Sequence, residues 1–250
     1  MKKNFLEIII ENVKTLFYAL IIAVIIRSLF FQPFYIPSSS MEPTLLIGDR
    51  IFVKKYSYGY SKHSFPFSPP FFSNRLLKKP PNYGDLVVFK TPTDNRTDYI
   101  KRLIGLPGDT IQFKGGKLFL NGTEIKRSII NSKYKIRCGS LRPETNAYKE
   151  ILPNGKEYIA VYNKIGTMQN TDEYKVPLEH FFFLGDNRDC SKDSRYLSSV
   201  GYVVSENLVG KASVIFFSND TISGSVFKFW NWSQSLRTER FFNLLKWQTQ

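Results

Sequence analysis

The chain is poor in the side chains on which much hydrolytic and metal chemistry depends. Its 250 residues include only two histidines and two cysteines. A serine–histidine–aspartate triad needs a histidine, and only His63 and His180 are available. His63 lies in a proline-rich loop. His180 leads into the apolar run Phe181–Leu184, where a structural histidine fits better than a catalytic one. Cys138 and Cys190 form no CxxC pair and no metal-ligand spacing with the histidines, so no metal is expected. One disulfide or two free thiols both remain open for them. Acidic residues are scarce too, 21 against 35 basic ones, for a net charge of +14. Such basicity suits a polyanion, either nucleic acid or an anionic lipid surface. No helix-turn-helix, zinc-finger, RNA-recognition or KH signature accompanies it, so no nucleic-acid partner is expected and the lipid surface is the better match.

A long uninterrupted apolar run is also missing. Thr15–Ile26 is free of charge for about 12 residues before Arg27 interrupts it, and Ser28–Phe31 continue it. Three features favour a membrane anchor over a cleaved export signal. Lys14 and Arg27 can snorkel, extending the span toward the ~17 residues required. Leu29-Phe30-Phe31-Gln32 offers no small-residue cleavage site. Lys2, Lys3 and Lys14 precede the run, which predicts a cytoplasmic N-terminus and an outer domain from about Gln32 onward.

Beyond the anchor the chain reads as mainly β. Gln32–Pro37 is extended because residues before proline avoid the helical region. Arg50–Val53, Leu86–Phe89, Tyr99–Ile104, Phe181–Leu184 and Val209–Phe217 have the short apolar runs of buried strands. Ile111–Phe113, Leu118–Leu120 and Thr123–Ile125, joined through Gly115-Gly116 and Asn121-Gly122, predict an antiparallel meander. Tyr56–Tyr83 reads as a long loop, and Ile130–Leu178 as a polar insertion with weak strand signals. The expected organisation is a cytoplasmic N-terminus (1–14), an anchor (15–31), an antiparallel β core in two parts (32–129 and 179–222), an inserted second β lobe (130–178) and an amphipathic basic and aromatic tail (223–250), with helix at the anchor and the tail. Val226–Trp232 and Phe241–Trp247 of the tail, and the loop Phe65–Phe72, mix aromatics with polar or basic residues in a way that fits docking on a membrane surface. A tail packed on the β core fits as well.

With histidine set aside, lysine is the remaining base for a nucleophile. It works only when neutral, so its pKa must fall from ~10.4 toward neutrality. A three-unit fall corresponds to roughly 4 kcal/mol against the ammonium, which demands a dry, well-packed site. Lys101 suits this best. It lies inside a strand and by alternation shares a face with Tyr99 and Leu103. A solvent-facing strand lysine is the plainer alternative. The nucleophile candidates sit in Ile36–Leu45, where three serines between prolines also fit a linker.

Four stretches change this balance. IPSSSMEPTLLIGDRIFV (36–53) resembles the serine box of bacterial type I signal peptidases, the Ser-Lys dyad family. GDLVVF (84–89) resembles that family's next box, YIKRLIGLPGD (99–109) its lysine box and GDNRDCSKDSR (185–195) its C-terminal box. They occur in the family's order after an N-terminal anchor and cover about Gln32–Val204.

The resemblance implies that Ser40 is the nucleophile and Lys101 its general base. It implies that the Ser38 hydroxyl joins the Ser40 backbone N–H in an oxyanion hole, and that Ser191 orients the lysine amine. Asp193 and Arg195 would form a supporting charged pair. Ile36, Pro37, Tyr99 and Ile100 would line shallow pockets for small side chains, with Met41 among the substrate-binding positions. The implied activity is cleavage of signal peptides from exported preproteins after Ala-x-Ala, through an acyl-enzyme, with no cofactor. The implied place is the bacterial inner membrane, crossed once, with the catalytic domain on the outer face and the bilayer and preproteins as partners.

Two departures stand out. Cys190 occupies a position where the family commonly has Asn, and one anchor is present where some members have two. The rival readings are a self-cleaving repressor, a dedicated Ser-Lys peptidase of a pilus or conjugation system, and a non-catalytic membrane-tethered β-domain. The anchor argues against the first.

Overall fold

The computed structural model describes residues 4–70, 74–163, 168–220 and 232–245. The first element is a helix, α1 (Phe5–Leu29), of 25 residues. At 1.5 Å per residue it is about 37 Å long, more than the ~30 Å hydrocarbon core of a bilayer. Leu6, Leu16, Phe17, Leu20 and Ile22 are each more than half exposed, and only Ser28 is buried. No protein core covers this apolar surface, and its length and composition fit a membrane span. The helix starts well before the expected 15, because Phe5, Leu6 and Ile8–Ile10 continue the apolar surface and the Glu7 carboxylate accepts the Asn4 N–H at 3.1 Å. It ends at Leu29 rather than 31, since Phe31 already belongs to a strand.

The strands follow as β1 (Phe31–Tyr35), β2 (Asp49–Lys54), β3 (Leu86–Lys90), β4 (Asp98–Gly105), β5 (Thr110–Lys114), β6 (Lys117–Leu120), β7 (Thr123–Glu124), β8 (Lys126–Lys135), β9 (Glu144–Ile151), β10 (Glu157–Asn163), β11 (Tyr174–Lys175), β12 (His180–Leu184), β13 (Val203–Val204), β14 (Leu208–Ser218) and β15 (Asn243–Leu244). The main antiparallel sheet has the order β1-β2-β14-β3-β4-β12-β13, with β15 added on β14. Pro33 is tolerated because β1 is an edge strand. The central strands are buried on both faces. Leu86 and Val88 join the cluster of Met41, Leu45, Ile51 and Val209, while Val87 and Phe89 join that of Leu103, Phe183 and Val203.

The expected meander is present as β5-β6-β7, with β11 on its outer edge. The polar insertion is a well-formed sheet, β10-β9-β8, whose first strand begins before residue 130. A parallel bridge from Val161 to Asn187 fastens it to the loop after β12. The Tyr56–Tyr83 segment is pinned rather than loose. Tyr60 bridges Leu76, and the Arg75 guanidinium donates to the Gly59 carbonyl at 2.7 Å and the Ser205 carbonyl at 3.1 Å.

The described part of the tail departs from a helix. It contains one short helix, α2 (Trp232–Ser235), and the strand β15, tied to the core by Arg240 on Asp49 at 2.6 Å. Val226–Trp230, Lys246 and Trp247 of the tail, and Phe71 and Phe72 of the aromatic loop, lie outside the described residues. The question left open for the cysteines is resolved: Cys138 and Cys190 form a disulfide, with Cα atoms 5.4 Å apart.

Candidate active site

The site forms where the turn after β1 meets the centre of the main sheet. Antiparallel pairing sets Lys101 of β4 against Val87 of β3, and Leu103 against Phe183 of β12. Lys101 is thus paired with β3 on one side, sits just beyond the end of the β12 pairing on the other, and is 4% exposed. Its Nζ lies 2.7 Å from Ser40 Oγ and 2.9 Å from the Ile100 carbonyl oxygen, over the Tyr99 ring at 5.2 Å. Burial pulls its pKa down to about 8, against the opposing pull of Asp193 and Asp186. Ser40 is 7% exposed. Ser38 Oγ stands 3.3 Å from Ser40 Oγ, at the mouth of the site.

Neither histidine shares this place. His63 lines a different cavity, and His180 Nδ1 lies 2.8 Å from the Leu178 carbonyl. Among the described residues no group of three or more His, Cys, Asp or Glu side chains converges to hold a metal.

The serine turn is clamped from the 185–195 segment. Asn187 donates its backbone N–H to the Ser40 carbonyl at 3.2 Å and its side-chain amide to the carbonyls of Ser39 and Arg137, both at 3.1 Å. Gly185 lets three pieces meet. A Cβ there would sit 2.1 Å from Ser191 Oγ and 2.5 Å from the Ser40 carbonyl oxygen. No hydrogen bond joins Ser191 to Lys101. The Ser191 hydroxyl is buried and faces the Asp193 carboxylate.

Asp193 and Arg195 form a buried two-pronged pair at 2.8 and 2.9 Å, and Asp193 also accepts the Gly185 N–H at 3.0 Å. Burial alone would raise the Asp193 pKa, but the Arg195 charge and these hydrogen bonds hold it below the ordinary carboxylate range.

A groove of about 400 Å³ runs past Ser40 and Lys101. Ile36, Pro37, Tyr99 and Ile100 line it together with Ser38, Ser40 and Lys101, as do Cys190 and Lys192. Met41 does not. Its side chain is fully buried in the core beneath the turn, which is ordinary for a long apolar side chain, so the expected substrate contact is corrected to a packing role.

Several supporting groups escaped the sequence reading. Arg102 points to the face opposite Lys101 and holds Asp186 at 2.6 and 2.5 Å, while the Thr44 hydroxyl donates to the same carboxylate at 2.5 Å. Arg188 and Glu150, both 1% exposed at their side chains, pair at 2.8 Å with the hydroxyls of Tyr158 and Tyr162 against them. The Glu42 carboxylate accepts the Arg137 N–H at 2.8 Å. Thr44, Arg102, Asp186, Asn187 and Arg188 all lie inside the motifs already singled out. Glu150 and Arg137 lie in the insertion and carried no signal.

The family model described as "Signal peptidase, peptidase S26" matches residues 9–217. The Signal peptidase I of Rickettsia conorii is 40% identical over 247 residues, covering 91% of this chain and 90% of that protein. The Signal peptidase I of Rickettsia canadensis is 39% identical over 249 residues, covering 93% and 92%. A solved signal peptidase I from Enterococcus faecalis V583 aligns at 24% identity with a TM-score of 0.32, over 53% of this chain and 97% of that one.

Proposed function

The chain belongs to the signal peptidase, peptidase S26, family, and within that family we propose that it cleaves signal peptides by a Ser40–Lys101 dyad. The observation that carries this reading is the Lys101 amine, buried and 2.7 Å from the Ser40 hydroxyl. With a pKa of about 8, roughly one amine in ten is neutral at pH 7, against about one in three thousand for a free lysine at 10.5. The neutral lone pair takes the Ser40 proton as Oγ bonds to the scissile carbonyl carbon. The Ser38 hydroxyl and the Ser40 backbone N–H receive the negative charge on the carbonyl oxygen. The C–N bond then breaks, and Lys101 returns the proton to the leaving amine. A water, deprotonated by Lys101, releases the acyl group and restores Ser40. No step draws on a metal or cofactor.

Asp193 and Arg195 hold the loop that carries Ser191 against Gly185, and Ser191 bounds the dyad on that side. The groove beside the dyad is shallow and apolar where Ile36, Pro37, Tyr99 and Ile100 line it, which suits small side chains such as Ala at the first and third positions before the cut. In this reading α1 crosses the inner membrane once with its basic N-terminus inside. The disulfide supports an outer placement of the rest, since such bonds persist in oxidising compartments. The anchor then holds the dyad beside substrates in the same bilayer, raising their effective concentration.

The test is cleavage of a preprotein with an Ala-x-Ala site by wild type, Ser40→Ala and Lys101→Arg in detergent. Both variants are expected to be inactive, because a guanidinium does not deprotonate in a protein. Cleavage by folded Lys101→Arg at the wild-type rate would remove Lys101 from the mechanism.

A further inference from the structure

A second cavity, of about 520 Å³, opens where α1 meets the β domain, lined from Arg27 through the 62–68 and 90–98 segments. Four cations border it, Arg27, Lys62, Lys90 and Arg96, against two carboxylates, Asp94 and Asp98. The carboxylates are already engaged. Asp94 accepts from the Thr91 and Thr97 hydroxyls and from the N–H groups of Arg96 and Thr97, and Asp98 pairs with Lys90 at 2.9 Å. Lys62 pairs with Glu206 at 3.1 Å. That leaves the guanidiniums of Arg27 and Arg96, both exposed and without an ion-pair or hydrogen-bond partner among the described residues, on one cavity.

The depth of this cavity is fixed by the helix. Arg27 lies in the last turn of α1, two residues or about 3 Å from its end, which is where a spanning helix leaves the hydrocarbon for the headgroup layer. The rim carries apolar side chains at the same level. Phe30 and Phe31 are exposed, and Phe67 is fully so. Phe67 and Ser68 both adopt the left-handed backbone, φ 62° and 50°, which non-glycine residues rarely take. Ser68 is held there by its hydroxyl on His63 Nδ1 at 3.0 Å, so the turn presents the Phe67 ring outward. Nothing in the packing of the β domain calls for that ring, whereas an acyl-chain layer accepts it.

We infer that this cavity is a binding site for the phosphodiester of an anionic phospholipid headgroup, with Arg27 and Arg96 as the phosphate ligands and Phe67 set against the acyl chains. Two guanidiniums present the forked donors that a phosphate accepts. Such a site fixes the roll of the β domain about α1 and so the height of the groove above the bilayer. The inference rests on α1 spanning the membrane and is independent of the catalytic dyad.

The experiment uses the full chain in detergent, with native mass spectrometry to count retained lipids. The probes are phosphatidylglycerol, phosphatidylcholine and inorganic phosphate. Wild type is expected to retain one phosphatidylglycerol at least tenfold more tightly than phosphatidylcholine. Arg27→Gln/Arg96→Gln is expected to lose that preference, while Lys114→Gln/Lys117→Gln, which removes the same charge elsewhere, keeps it. Equal loss in both double variants would reduce the effect to bulk charge and overturn the proposal. Full competition by inorganic phosphate would make the cavity a free-anion site and overturn the lipid assignment. Retention of each variant in alkali-washed membranes reads the anchor separately.

Discussion

Replacing Lys101 by Met should destroy activity and stabilise the fold at neutral pH, with a pH dependence that identifies the cause. The two side chains have similar length, so the site stays filled. Wild type carries a lysine whose folded pKa is about 8 against 10.5 for the free group. Burial disfavours the ammonium, so the folded state binds fewer protons than the unfolded chain between those values, and stability rises with pH across that window. Below pH 8 the full penalty is present, 2.5 units or about 3 kcal/mol. By pH 10 most of it is gone, leaving about 1 kcal/mol. The Met variant never has the penalty. It does lose the amine contacts to Ser40 Oγ and the Ile100 carbonyl, roughly 1 kcal/mol each at any pH. The difference in unfolding free energy between variant and wild type should therefore fall by about 2–3 kcal/mol from pH 7 to pH 10. Urea unfolding in detergent at both pH values measures it, and other titrating groups cancel between the two proteins. A difference that stays constant across that range would show that Lys101 is not held in a dry site.

Other consequences follow from the packing around the dyad. Gly185→Ala places a methyl 2.1 Å from Ser191 Oγ and 2.5 Å from the Ser40 carbonyl. It should cost about 1–3 kcal/mol in a thermal melt and abolish preprotein cleavage; wild-type turnover would contradict the clamp. Cys138→Ser/Cys190→Ser opens a loop with a sequence separation of 52, for which chain entropy gives a loss of about 4 kcal/mol at most. An unchanged urea midpoint would mean the bond does not constrain the fold. Arg102→Met leaves the buried Asp186 carboxylate unpaired and should cost about 3–5 kcal/mol, much of it recovered in Arg102→Met/Asp186→Leu. Equal losses in the single and double variants would show that the charge is not the cause.

The strands of the main sheet were legible because they are buried on both faces and read as apolar runs, as in Leu86–Phe89 and Phe181–Leu184. The meander was legible from its glycine turns. Strand β8 was not. Its sequence, KRSIINSKYK, is mostly polar, and bulges at Ile129/Asn131 and Asn131/Tyr134 break any alternation. The helix start was misjudged because a charge-free criterion stops at Lys14, while a capped apolar helix continues past it.

Ser40 and Lys101 were reached through the motifs, and by period alone Lys101 was indistinguishable from a solvent-facing lysine. The buried Arg188–Glu150 pair was beyond reach for a different reason. Arg188 and Glu150 are 38 residues apart, and hydropathy assigns each to the surface until the fold brings its partner. Met41 shows the reverse error: the resemblance placed it among the substrate-binding positions, but successive side chains in a tight turn point in different directions.

The central claim is that a neutral Lys101 activates Ser40, and the pH dependence of kcat/KM for preprotein cleavage tests it most directly. The rate should climb about tenfold per pH unit and level off near pH 8, where the Lys101 amine loses its proton. A profile that is flat from pH 6 to 9, or that levels off near the histidine value of ~6.5, would contradict the account.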